Sequence, residues 1–396
     1  MPKNRLTQSK KPFHIDKQLA TLLILMTITS MVAIYGAIPL LPSWRSGLDL
    51  ILKQSLWYLI GYGLLVGLIF FGIDRLFTGI HVFYWILLFL LFLLIVDKYI
   101  NLPFIWPVNG TRGWITLPGI GTIQPSEFMK VVLIIMTANV LHEHNQDKTD
   151  MSFKSDFSLF FKVAKYAVLP LILIVLEPDT GIPIIIVIGI LAMLSIGGVR
   201  REWTIFAGVA VILAFGASIY LFYNQPDILS TILGGGYKLN RFYGWLQNEQ
   251  YSNSYGLQLY RALLAIGSAG WTGHGLQSTL VYFAEPQNDF IFAVIAQNFG
   301  FIGASFVLVL SLLLDIKIIS IALNYTEMRE KYMVAGLIGM LLFQQFQNMG
   351  MITGLMPITG ITLPLISAGG SSLLSYMPPL AIIFSMSSEN KNRRSH

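Results

Sequence analysis

The sequence predicts an all-α integral membrane protein of about ten transmembrane helices with both termini in the cytoplasm, on three observations. Of the 396 residues, 55% are hydrophobic and only 12% charged. The apolar residues gather in runs long enough, with their flanks, to cross a hydrocarbon core of about 30 Å as helices. Basic residues collect at both chain ends and in alternate connecting segments, the pattern that marks the cytoplasmic side.

Residues 1–17 form a basic tail carrying Lys3, Arg5, Lys10, Lys11 and Lys17. The run 18–38 is too long for a signal-peptide core and is followed by many more, so it reads as a retained span. Further spans are expected at 55–73, 82–96, 128–141, 163–176, 182–198, 203–223, 290–314, 333–346 and 373–386. An even number returns the chain to its starting side, where residues 388–396 carry Lys391, Arg393 and Arg394. The segments at 74–75, 142–162, 200–201 and 325–331 alternate onto that inner side. The outer side receives 42–54, 98–125, a short turn at 177–181, a large loop at 224–288 between spans seven and eight, and 350–372. The whole chain reads as one polytopic domain.

The large loop is expected to be ordered, because 241–247 and 255–267 place aromatics and aliphatics at helical spacing, as in short helices on a membrane surface. Segments 103–125 and 354–370 are rich in Gly and Pro yet apolar. Irregular backbone at membrane depth survives only under protein cover or beside a wet cavity. Both contain Ile-Thr-Leu-Pro, at 115–118 and 361–364, which fits either a repeat or chance recurrence.

The net charge of +6 follows from orientation, and no basic face interleaved with aromatics points to nucleic acid. The absence of cysteine excludes disulfides and thiolate metal sites, and the six histidines include no pair at helical ligand spacing. Of eight Trp residues, Trp44, Trp57, Trp106, Trp114, Trp245 and Trp271 fall on the outer side, in part as an aromatic belt.

Glu127, Lys130 and Asp289 stand at the heads of apolar runs, where an ionisable group is a functional candidate by default. The first cluster is Asn109-Gly-Thr-Arg-Gly-Trp114, then Gly121-Thr-Ile-Gln-Pro-Ser-Glu-Phe-Met-Lys130. Pro125 and Ser126 read as a helix start, with Ser126 capping and Glu127 at the positive end of the dipole. Lys130 shares a face with Glu127, either as a structural ion pair or as a cation held in an outward cavity to meet an anion such as a phosphate. The second cluster is Glu285-Pro-Gln-Asn-Asp289-Phe-Ile-Phe. Asp289 is either an ordinary N-cap or a general base whose burial raises its proton affinity against the dipole. The third cluster holds Asn348-Met-Gly350, Pro357-Ile-Thr-Gly360 and Ser367-Ala-Gly-Gly-Ser-Ser372. There, backbone N–H groups and Ser367 and Ser371 form either an anion-friendly turn or a close-packed re-entrant one.

In order, these three motifs resemble the SEDS proteins of bacterial cell-wall synthesis, the RodA/FtsW/SpoVE family, over nearly the whole chain. The resemblance implies a peptidoglycan glycosyltransferase that polymerises lipid II at the outer face of the cytoplasmic membrane with a class B penicillin-binding protein. Matched by motif, Asp289 takes the place of the family's essential loop carboxylate, Glu127 and Lys130 its membrane ion pair, and Trp114 its outer tryptophan. Arg241 and Gln258 fall at polar loop positions. The chain departs from the family with Gln287-Asn288 where His-Thr is usual, and Gln297-Asn298 where Glu-Glu is frequent. The implied chemistry has a sugar hydroxyl displacing undecaprenyl pyrophosphate from the growing chain. Asp289 would act as base, and Lys130, Arg112, Arg241 or Arg261, with or without a divalent cation (Mg or Mn), would neutralise the leaving group. A lipid II flippase and a non-catalytic scaffold for the penicillin-binding protein are the rival readings. The short tails lean toward the elongation, cell-shape type over the division type.

Overall fold

The computed structural model describes residues 12–105, 112–117, 119, 121–146, 152–177, 179 and 181–394, and the description below concerns those. Trp106, Asn109, Thr111 and the basic residues before Pro12 lie outside them. Helix α1 (Lys17–Ala37) starts where the Asp16 carboxylate accepts from Leu19 N, and ends in a 3-10 turn over Ile38–Leu40. Helix α2 (Gly47–Phe71) begins eight residues before the expected span. Ser46 caps Asp49 N, and the Asp49–Lys53 pair supports the first turn, so most of the expected outer loop at 42–54 is helix. Gly72 alone turns the chain into α3 (Ile73–Ile100).

An antiparallel hairpin, β1 (Ile115–Leu117) with β2 (Gly121–Ile123), leads into α4 (Pro125–Gln146). Then follow α5 (Phe153–Leu176), α6 (Gly181–Ile196) and α7 (Arg201–Asn224). The large loop is helical as expected, in α8 (Pro226–Leu233), α9 (Gly236–Leu246) and α10 (Leu257–Ala269). Helices α11 (Ile291–Leu323), α12 (Met328–Ile352), α13 (Gly370–Ser375) and α14 (Met377–Arg394) complete the chain. The Ile-Thr-Leu tripeptide at 115–117 is strand whereas that at 361–363 is irregular, so the two are not copies of one unit.

Among the described residues, α1 with its turn, α2, α3, α5, α7 and α11 are long and apolar enough to cross a membrane, and α6 is a shorter apolar helix. Helices α4, α12 and α14 occupy the expected spans at 128–141, 333–346 and 373–386. They read as less apolar because they turn polar groups such as Lys130, Gln344 and Asn348 into the bundle. Helix α12 packs on α6 and α4, α1 on α11, and α14 on α2. At the α6–α12 crossing a Cβ on Gly189 would come within 3.2 Å of the Gly336 carbonyl oxygen, so small residues let the two backbones meet.

Helix α11 is not the continuous span expected at 290–314. Gly300 takes φ 63°, ψ −155°, and breaks it. The freed backbone groups pair with the segment after α10: His274 N donates to Gln297 O (2.9 Å), Gly275 N to Asn298 O (3.1 Å), Phe301 N to Gly270 O (2.9 Å) and Ile302 N to Trp271 O (3.1 Å). A Cβ on Gly300 would lie 2.4 Å from Gly273 N, so glycine is needed for conformation and space alike. Gln297 and Asn298 brace the same loop through Val281 N and Ser278.

Contacts sort into two ends. At one, Asp16 meets Ser387, His14 meets Ser388, Asp74 meets Arg329, Asp156 meets Arg200, and Asn145 meets Gly197 and Tyr332. At the other, Arg45 meets Glu285, Gln54 meets Gly369, Gln124 meets Asp179, and Ser371 meets the β2 backbone.

Candidate active site

Asp289 stands two residues before α11, whose N-cap is Phe290, so it is a loop carboxylate and not the cap itself. Its main chain is fixed by Asn348 Nδ2, which donates to Asp289 O (2.9 Å) and Ile361 O (2.8 Å) and so ties two loops together. A Cβ on Gly360 would lie 3.8 Å from Asp289 Oδ2, which brings the Pro-Ile-Thr-Gly turn beside the carboxylate. Burial pushes the carboxyl up to about 7. Glu285 adds to that shift, while the Asp289 and Phe290 amides and the Arg241 guanidinium oppose it.

The flanking residues bear the loop rather than the chemistry. Glu285 Oε2 collects Gln287 Nε2 (2.7 Å), Asn288 Nδ2 (2.9 Å) and Arg45 (3.3 Å). Gln287 and Asn288 therefore hold Glu285. Arg241 on α9 donates to Ile358 O and Thr359 O (both 3.4 Å), close enough to act on Asp289. On α10, Gln258 Oε1 accepts from Ala284 N (3.2 Å) and Arg261 donates to Tyr282 O (3.3 Å). These two bonds brace the segment that leads to Asp289.

Glu127 and Lys130 do pair, at 2.5 Å, but Lys130 is wholly enclosed. Its ammonium also donates to Tyr376 Oη (3.1 Å) and lies 4.4 Å from the centre of that ring, and Tyr376 bonds onward to Gln344. Of the two readings open in the sequence, the structure shows the buried ion pair, enclosed with Tyr376 and Gln344. Ser126 does not cap, because the helix already starts at Pro125 and leaves its hydroxyl buried without a partner. Arg112 donates to Asp97 Oδ2 (2.8 Å), Asp97 O (3.0 Å) and Asn101 Oδ1 (2.7 Å) at the end of α3. Trp114 lies half-buried just before β1.

The third cluster takes its close-packed alternative. Ser367 Oγ donates to Asn288 O (2.7 Å) and accepts from Leu363 N (2.9 Å). Ser371 Oγ donates to Thr122 O (3.1 Å) and accepts from Gln124 N (2.9 Å). Ala368 N and Gly369 N are bonded to Gln287 O and Gln54 Oε1. With both hydroxyls so engaged, Ser367 and Ser371 staple the Asp289 loop and the hairpin to the bundle.

The sequence reading passed over Glu177 and Asp179 in the short outer turn. Asp179 Oδ1 caps α6 through Gly181 N (3.0 Å) and Ile182 N (3.2 Å), and its Oδ2 accepts from Gln124 (2.9 Å). Glu177 is 2% exposed with both oxygens unpartnered. Burial, then Asp179, pushes its carboxyl up to about 9 against the pull of Lys98. The signal was Glu-Pro-Asp-Thr-Gly closing one apolar run and opening another. A carboxyl whose proton affinity is raised by folding stabilises most below its unfolded value and loses that contribution as pH climbs toward its folded one. Glu177→Gln should therefore melt close to wild type near pH 5 and above it near pH 9, in thermal melts in detergent. Equal melting across that range would show that the site holds an ionised carboxylate.

These features define a multi-pass helical membrane protein with a raised-affinity carboxylate at one end of its bundle. The family model for FtsW, RodA and SpoVE cell cycle proteins matches residues 16–392. Stage V sporulation protein E of Bacillus subtilis is 31% identical over 80% of this chain and 84% of that protein. The probable peptidoglycan glycosyltransferase FtsW of Lactococcus lactis is 32% identical over 72% and 71%. Peptidoglycan glycosyltransferase MrdB of Escherichia coli K12 is 28% identical over 97% of both. Among solved structures, a chain from a peptidoglycan synthase complex that coordinates polymerization and crosslinking superposes with TM-score 0.74 at 24% identity, over 96% of this chain and 99% of that one. Thermus thermophilus RodA gives 0.65 at 24% identity, over 95% and 97%. The chain belongs to the FtsW/RodA/SpoVE family.

Proposed function

We propose that this protein is a peptidoglycan glycosyltransferase that polymerises lipid II into glycan strands at the outer face of the bacterial cytoplasmic membrane. Relatives named for that activity over most of their length support the reaction class. The observation that carries the mechanism is Asp289, with a carboxyl held near 7 by burial and Arg241 beside it. Asp289 takes the proton from a sugar hydroxyl of one lipid-linked disaccharide as that oxygen bonds to the anomeric carbon of the growing chain. The bond to undecaprenyl pyrophosphate breaks, and the leaving group departs with its electron pair. Arg241 is the cation nearest this step, while Glu127, Lys130 and Tyr376 hold the surrounding helix ends in register.

Among the described residues no three His, Asp or Glu side chains cluster as a metal cage. A Mg or Mn ion carried on the pyrophosphate would add positive charge to the leaving group. The sorting of contacts into two ends supports ten spans with both termini inside and one polytopic domain. In this reading the protein is of the elongation type and works with a class B penicillin-binding protein. Clustering of Glu127, Glu177, Asp179 and Asp289 at one end favours an enzyme over a flippase path crossing the bilayer.

Polymerisation of purified lipid II by the purified protein with its cognate penicillin-binding protein tests the reading. Glycan strands are expected; lipid II crossing vesicle membranes without polymer would move the reading to the flippase. A base with this proton affinity also sets the pH profile: kcat/KM should fall about tenfold per unit below pH 7 and level off above it. A profile flat down to pH 5 would remove Asp289 as the titrating base.

A further inference from the structure

At the end of the bundle where the chain starts and finishes, two adjoining cavities of about 540 and 560 Å³ share Lys17, Gln18 and Lys317. The first is a basic mouth: Lys17, Lys317 and Lys391 surround the single carboxylate Asp16, which bonds Lys317 at 3.0 Å. The second is a furrow between α1 and α11 floored by Leu22, Leu313 and Ile316, the last two about half exposed on the flank of the bundle. Lys317 lies about 9 Å along α11 from its end at Leu323, the depth at which a lysine on a span reaches the headgroup layer.

We propose that this cleft binds an anionic phospholipid of the inner leaflet, its phosphate among Lys17, Lys317 and Lys391 and one acyl chain along the α1–α11 furrow. The surplus of positive charge favours an anionic headgroup over a zwitterionic one, and the lateral opening continuous with an apolar furrow fits a diacyl chain better than a soluble anion. The inference rests on the orientation proposed above and is independent of the reaction.

The test uses the full-length protein in nanodiscs with phosphatidylglycerol or phosphatidylcholine, each bearing a photoactivatable group high on one acyl chain, and maps the crosslinks. Phosphatidylglycerol should label residues 17–22 and 313–320 several-fold more than phosphatidylcholine. Lys17→Gln, at an exposed side chain whose loss leaves packing intact, should reduce that labelling about fivefold. Thr21→Trp, which fills the furrow and keeps every charge, should also remove it. Equal labelling by the two lipids, phosphatidylglycerol labelling unchanged in Lys17→Gln, or its full displacement by millimolar inorganic phosphate would each overturn the proposal. Because the readout is labelling, a protein that fails to polymerise lipid II would leave this result standing.

Discussion

Asp289→Asn lowers glycan polymerisation by about 10²–10⁴-fold, the cost of removing a positioned base, and leaves the fold in place. The fold survives because the loop is held by its main chain: Asn348 bonds the Asp289 carbonyl, and Ser367 bonds that of Asn288. The side chain is near-isosteric, and the substitution removes a carboxylate that burial disfavours. The measurement is strand formation from purified lipid II beside a thermal melt of the same sample. An active Asp289→Asn protein would sink the assignment; an inactive one that also melts early would place Asp289 in the scaffold. Glu285→Gln refines the point, since losing that charge lowers the Asp289 proton affinity and should move the acidic limb of the pH profile downward.

Lys130→Met removes the cation from a wholly buried site. Glu127 then faces a buried environment alone, and breaking such a pair costs about 3–5 kcal/mol. The melting temperature should drop sharply and activity fall with it. Glu127→Gln combined with Lys130→Met takes away both charges and should recover much of the stability. If the double variant also recovers polymerisation, the pair is structural support alone. If it is stable and inactive, Lys130 acts on substrate in a conformation more open than this one, and a single variant melting like wild type would refute the buried pairing.

The membrane-crossing character was legible in the sequence because span length is fixed by bilayer thickness, and a run of apolar residues states it directly. The surface helices α9 and α10 were legible for a similar reason, as their periodicity is local. So was the Glu127–Lys130 pair, whose three-residue spacing is a property of one helix. The break at Gly300 was not, since a glycine inside an apolar run has no visible cause until the segment at 270–275 arrives to occupy its freed backbone groups. The partners of Ser367 and Ser371 were not legible either, because a hydroxyl's partner is set by tertiary structure, and a Gly/Ser turn offers its amides equally to an anion or to another loop. Glu177 looked like an ordinary turn residue because nothing in the local sequence announces that the end of α3 and the strap at Arg112–Gly113 cover it.

The interruption at Gly300 divides α11 into a short piece that begins beside Asp289 and a long rod that runs to Leu323. The segment after α10 bonds to both pieces, to the short one through Gln297 O and Asn298 O and to the long one through Phe301 N and Ile302 N. The break is therefore a bend braced from both sides rather than a free hinge, and the same backbone braces the start of α11 beside which Asp289 sits.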